Sequence, residues 1–173
     1  GRLLEIRPGF EMALFDLATI YEIEGETLKA KEIYEKILTF DPSNVTVRHR
    51  IANMYVREKD YERAISEFEK LSEIDRKDLS IRVKIGFLRM EMGHFDEAIR
   101  EFNLFLATNP NNSTVRMYLG QALREKGLYK NAIEEFLKIP VDAAEFPMAL
   151  RSLTYLYIKA NLIDEGIEKL RGY

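Results

Sequence analysis

The sequence predicts an all-α solenoid of antiparallel helix pairs that recur every 34 residues. Three observations predict it. Ala30, Ala64, Ala98 and Ala132 are each 34 residues apart, and Gly166 continues the series. Ala18, Ala52, Gly86, Gly120 and Thr154 form a second series with the same spacing. Tyr34, Phe68, Phe102, Phe136 and Leu170 form a third, of large side chains. Two further series run in register: Tyr21, Tyr55, Arg89, Leu123 and Tyr157, and Gly25, Lys59, Gly93, Gly127 and Asn161. Pro8, Pro42 and Pro110 share one phase, with Arg76 and Ala144 in the gaps. Self-similarity at a fixed period of this length marks stacked supersecondary units, each too small to bury its apolar face alone.

The physics of one unit is clearest in residues 79–112. Ile81, Ile85, Leu88 and Met92 fall at helical spacing and predict a first helix. Gly93 ends it, because glycine accepts the left-handed conformation at a helix C-terminus. His94 is the connector. Phe95, Ala98, Ile99, Phe102 and Leu106 predict the second helix. Asn109-Pro110-Asn111-Asn112 stops it: proline cannot continue a helix, and asparagine caps the next. The small residues let the two helices approach closely, and the ring of the third series fills the remaining space.

Composition limits what such a chain can do. Of 173 residues, 46% are hydrophobic and 32% charged, which supports a core and argues against disorder. The net charge of -3 lacks the basic bias of nucleic-acid binders. No cysteine is present, so disulfides, thiolate metal sites and cysteine nucleophiles are excluded together. No apolar run reaches the ~18 residues of a membrane span. No signal peptide is visible, and the absence of cysteine leaves cytoplasm and periplasm both open, since proteins of either can lack it.

The inventory for catalysis is thin, and the chain is expected not to be an enzyme and to carry no cofactor. His49 and His94 sit in different repeats at different phases, so they form no metal pair. The glycines are spaced as helix terminators and packing residues, not as a phosphate loop. Adjacent acids such as Asp96-Glu97 and Glu134-Glu135 read as solvated second-helix surface, since catalytic carboxylates need a pocket that shifts their pKa. Helical repeats that read RNA one base at a time run about 35 residues with a different signature. Here no aromatic–basic interleaving marks a stacking platform, and nucleic acid is not expected as a partner.

The series resemble the tetratricopeptide repeat: small residues at repeat positions 8 and 20, Tyr-like at 11, aromatic at 24, proline at 32. Residues 11–44, 45–78, 79–112, 113–146 and 147–173 fit that pattern in register, the last incompletely, and residues 1–10 match the tail of a preceding repeat through Leu3, Leu4 and Pro8. Departures exist. The aromatic common at position 4 is replaced by Leu14, Arg48, Arg82, Arg116 and Leu150. Arg89 stands where tyrosine is usual. Thr154 with Gly166 reads as size compensation across one helix contact, and Pro140 should end the second helix of repeat four early. Neither end carries a polar cap, so the expectation is a fragment of a longer array whose bare ends can self-associate.

The resemblance implies a right-handed superhelical solenoid, with first helices lining a concave groove and second helices forming the back. Charge then distinguishes the repeats. The first helices of repeats two to five each carry a net +2, for instance Arg48, Arg50 and Arg57 against Glu58. Repeat one carries -4 from Glu11, Asp16, Glu22 and Glu24. Arg48, Arg82 and Arg116 recur in one phase and therefore also read as structural. The groove positions of the family point to His49, Asn53, Arg57, Phe87, Met90, Met117, Gln121, Arg124, Arg151 and Tyr155 as the partner-binding residues. Only Asn53 matches the Lys/Asn carboxylate clamp of chaperone-binding relatives, so that clamp is not expected. Apolar anchors with basic flanks suit an acidic or amphipathic protein or peptide. The leading expectation is a protein–protein interaction scaffold. The alternatives are a self-associating assembly module, and a regulatory arm of an enzyme whose catalytic domain lies outside these residues.

Overall fold

The computed structural model describes residues 8–173, and Leu3 and Leu4 lie outside them. Ten helices and no strands occur among the described residues. The chain divides into two compact units, Gly1–Asp78 and Leu79–Tyr173. The first holds α1 (Pro8–Ile23), α2 (Thr27–Phe40), α3 (Val45–Arg57) and α4 (Tyr61–Ile74). The second holds α5 (Ser80–Glu91), α6 (Phe95–Thr108), α7 (Ser113–Glu125), α8 (Tyr129–Leu137), α9 (Phe146–Lys159) and α10 (Ile163–Leu170). Consecutive helices within each unit pack on one another, so each is a stack of helix pairs.

The turn inside every pair has one geometry, set by one residue. Gly25, Lys59, Gly93, Gly127 and Asn161 all have positive φ, between 56° and 81°. The residue after each donates its N–H to the carbonyl five back: Glu26 to Tyr21 at 2.9 Å, Asp60 to Tyr55 at 2.9 Å, His94 to Arg89 at 2.8 Å, Leu128 to Leu123 at 2.9 Å and Leu162 to Tyr157 at 2.9 Å. This is the Schellman closure, which satisfies carbonyls that the end of a helix would otherwise leave bare. For α3 and α7 the start signal is a side chain. Asn44 accepts from the Val47 N–H at 3.0 Å, and Asn112 accepts from the Val115 N–H at 2.9 Å.

The core of each unit is made by the periodic series. Ala18, Ala30, Ala52, Ala64, Ala98 and Ala132 are completely buried, as are Tyr34, Phe102 and Phe136. The glycines show why these positions are small. A Cβ on Gly86 would stand 2.7 Å from the Phe102 ring, and one on Gly120 would stand 2.5 Å from the Phe136 ring. Gly166 is equally tight, but against Tyr157, at 2.7 Å. The compensation expected between Gly166 and Thr154 is therefore corrected: Gly166 makes room for the Tyr157 ring, while Thr154 is exposed and bonds to the Leu150 carbonyl. Pro140 has the effect its position implies. α8 has 9 residues where α2, α4 and α6 have 14, and the buried Ile139 closes the core behind it.

Lys59 is the costly member of the turn series, since a Cβ in the left-handed region costs roughly 1–2 kcal/mol that glycine does not incur. Lys59→Gly should raise stability by about 1 kcal/mol, and Gly93→Ala should lower it by a similar amount. Midpoints of denaturant unfolding check both, and unchanged midpoints would show that the turns tolerate any residue.

Candidate partner-binding face

All ten residues singled out from the sequence lie on first helices of pairs: His49, Asn53 and Arg57 on α3, Phe87 and Met90 on α5, Met117, Gln121 and Arg124 on α7, and Arg151 and Tyr155 on α9. The two units present them separately.

In the first unit, α3 offers Asn53 and Arg57 to solvent, while His49 is half-buried with its ring 6.2 Å from Phe68. The arginines of α3 are largely neutralised by their surroundings. Glu22 of α1 takes Arg57 at 2.6 Å and Arg50 at 3.6 Å, and also accepts from the Tyr34 hydroxyl at 3.2 Å. Burial raises the Tyr34 pKa above its ordinary value, so the hydroxyl keeps its proton and acts as a donor to Glu22. Glu58 takes Lys31 at 2.5 Å. Glu22 of the acidic first helix thus pairs with two of the three arginines of its basic neighbour. A hollow of about 370 Å³ lies beside them, lined by Glu11, Met12, Phe15, Ile37, Asn44 and Thr46.

In the second unit, aromatic and amide contacts tie three first helices together. Phe87 of α5 lies 5.7 Å from the Tyr118 ring of α7, which in turn lies 5.9 Å from Phe102. Gln121 of α7 reaches Met148 of α9 at 3.9 Å. Phe87 and Tyr155 are exposed at 39% and 48%, so both offer ring surface. Met90 is half-buried against the core. Met117 is 3% exposed and sits within the core cluster, so it supports this face from beneath and offers no anchor to a partner. Tyr118 and Met148 join the face without having been singled out. Met148 had a signal, since it occupies the second position of its repeat, where Met12 stands in the first.

Most basic side chains of these helices also have acid partners. Arg82 pairs with Glu101 at 3.1 Å, Arg89 with Glu97 at 2.9 Å, Arg124 with the adjacent Glu125 at 2.6 Å, and Lys126 with Asp96. Arg151 and Lys159 are different. Neither has an ion pair among the described residues, and Lys159 lies over the Tyr155 ring at 5.7 Å.

The arginines in one phase form a recurrent brace. Arg48 pairs with Glu67 at 2.8 Å, Arg82 with Glu101 at 3.1 Å and Arg116 with Glu135 at 2.5 Å, each joining a first helix to the second helix of its own pair. Arg48 also donates to the Pro42 carbonyl, at 2.6 and 2.9 Å, and Arg116 donates to the Pro110 carbonyl. The glutamates carry the same 34-residue period, 19 residues after each arginine, so the brace was readable in the sequence. Where Leu14 and Leu150 replace arginine, the residues 19 further on are Ile33 and Lys169, and no glutamate appears.

Two tetratricopeptide repeat models match the chain, over residues 23–84 and 84–147. The chain belongs to the tetratricopeptide repeat family. The crystal structure of MamA is similar at a TM-score of 0.79 and 21% identity, over 93% of this chain and 88% of that one. YrrB, described as a TPR protein with an unusual peptide-binding site, is similar at a TM-score of 0.72 and 19% identity, over 90% of this chain and 80% of that one. At these identities the likeness is one of fold. No curated protein matches the chain in sequence. Among the described residues no cluster of His, Asp or Glu could hold a metal ion, and no helix is long and apolar enough to cross a membrane.

The brace makes a distinct expectation. The Arg116 and Glu135 side chains are largely shielded from water, and Arg116 and Lys138 both hold the carboxylate, so Arg116→Leu alone should cost about 1–3 kcal/mol by removing the shielded one of these two cations. The pair Arg116→Leu/Glu135→Ile copies Leu14 and Ile33 and should recover most of that loss. A double-mutant cycle by urea unfolding gives the coupling, and additive losses would mean that the two side chains do not act together.

Proposed function

We propose that the chain is a protein-interaction scaffold that holds a peptide or protein segment against the first helices of its second unit. The observation that carries this reading is the pattern of satisfied and unsatisfied groups. The arginines of α3, and Arg82, Arg89, Arg116 and Arg124 of the second unit, have acid partners, whereas Arg151 and Lys159 of α9 have none among the described residues. Those two cations flank Tyr155, and the exposed Met148 and Phe87 continue the apolar surface across α9 and α5. Gln121 adds an amide that can pair with the backbone of an extended segment. A ligand with acidic groups beside an apolar stripe matches this surface better than a neutral or basic one, because its charges meet unpaired cations while its stripe covers rings. Family membership and the peptide-binding description of YrrB support the same reading.

Peptides selected against the chain from a random display library should be acidic and amphipathic. The double variant Arg151→Glu/Tyr155→Ala should weaken the best of them at least about tenfold, which is ~1.4 kcal/mol, with its unfolding midpoint unchanged. Selected peptides without acidic residues, or binding indifferent to the double variant, would remove α9 as the contact.

A further inference from the structure

We propose that the chain associates with a second copy of itself head to tail, α1 of one copy seating on the α9–α10 face of the next. This lies outside the first-helix surface just described and does not depend on it. The helix pairs themselves show what covers such a face. Val47, Ile51 and Met54 of α3, Val115, Leu119 and Ala122 of α7, and Ala149, Leu153 and Leu156 of α9 occupy equivalent repeat positions, and all nine are buried. α3 packs on α2, α7 on α6 and α9 on α8, so each follows a preceding second helix. The equivalent residues of α1 are Ala13, Leu17 and Ile20. All three are exposed, the last two at 41% and 51%. α1 packs on α2 just as α3 packs on α4. What α1 lacks among the described residues is a preceding second helix, so these side chains are the face that takes one.

The complementary face is equally bare. Ile167 of α10 is 53% exposed, whereas its equivalent in α8, Ile133, is 4% exposed beneath α9. Ile163, Ile158 and Thr154 are also exposed, and with Tyr157, Gly166, Ile167 and Leu170 they border an apolar hollow of about 280 Å³. The register of the joint follows from the α1–α3 contact, where Glu22 meets Arg57 at 2.6 Å. The equivalent residues across the proposed joint are Ile158 and Ile23, so an ion pair inside the chain becomes an apolar pair between copies. Ile23 and Ile158 are exposed at 81% and 61%. One contact opposes association. Lys126 pairs with Asp96 inside the second unit, and the equivalent residues at the joint are Glu24 and Asp164, two like charges. The interface is heterologous, with two different surfaces meeting, so each copy keeps one of each to offer.

Sedimentation equilibrium on the intact chain tests this. The weight-average mass should rise with concentration, and Leu17→Glu and Ile167→Glu should each weaken association at least about tenfold. Mixed together, these two variants should form a one-to-one dimer, because each retains the surface the other has lost. Glu24→Lys should instead strengthen association with its unfolding midpoint unchanged, because it replaces the like-charge contact with an ion pair to Asp164. A chain that stays monomeric at all concentrations would overturn the proposal. So would self-association of Ile167→Glu at the parental strength, which would assign the contact to a symmetric α1 pairing.

Discussion

A small residue of a first helix against a ring of its partner helix is the contact on which the rest depends. Gly120 under Phe136 and Gly86 under Phe102 bring the two helices so close that a single methyl group would overlap the ring. Ala18 and Ala52 hold the same place in the first unit, completely buried. That closeness brings Arg48, Arg82 and Arg116 within reach of their glutamates. It also requires a turn that reverses the chain tightly, which the left-handed residue at the end of each first helix provides. Packing, turn and brace are therefore one design repeated, and a change in the first would strain the other two.

The electrostatics follow from the same spacing. Counting charges helix by helix gives a basic series beside an acidic neighbour, which suggests a strongly polarised surface. In space the two helices are adjacent and one acid links them: Glu22 of α1 takes Arg50 and Arg57 of α3. Pairs of this kind contribute little to stability, because Arg50 and Arg57 stay largely in water beside a shielded Glu22. On α9, by contrast, Arg151 and Lys159 have no ion pair among the described residues.

The helix pairs, their turns and the early end of α8 were legible in the sequence because backbone chemistry fixes them locally. A proline removes a donor, and a glycine or asparagine admits positive φ. Family membership was legible because five series of residues agree. The candidate face was legible only in part. Periodicity places Met117 on a first helix but does not show that its side chain is buried within the core cluster. It also marks Arg57 and Arg124 as basic without revealing that Glu22 and Glu125 already occupy them. Thr154 beside Gly166 looked like compensation because both broke their series, yet the ring that Gly166 accommodates belongs to Tyr157. Pairings between side chains far apart in the chain are set by three-dimensional distance, and a single sequence does not carry that distance.

The most direct test is a double-mutant cycle on Gly120 and Phe136, read as unfolding free energy in denaturant. In an isolated helix Gly→Ala gains about 1 kcal/mol. Here the added methyl meets a completely buried ring, so Gly120→Ala should instead cost about 1–3 kcal/mol by overpacking. In a Phe136→Leu background the same change should become neutral or favourable, because the ring it struck is gone. If Gly120→Ala is equally costly in both backgrounds, or stabilising in the parent, the close approach of helix to ring is not what holds the pairs together.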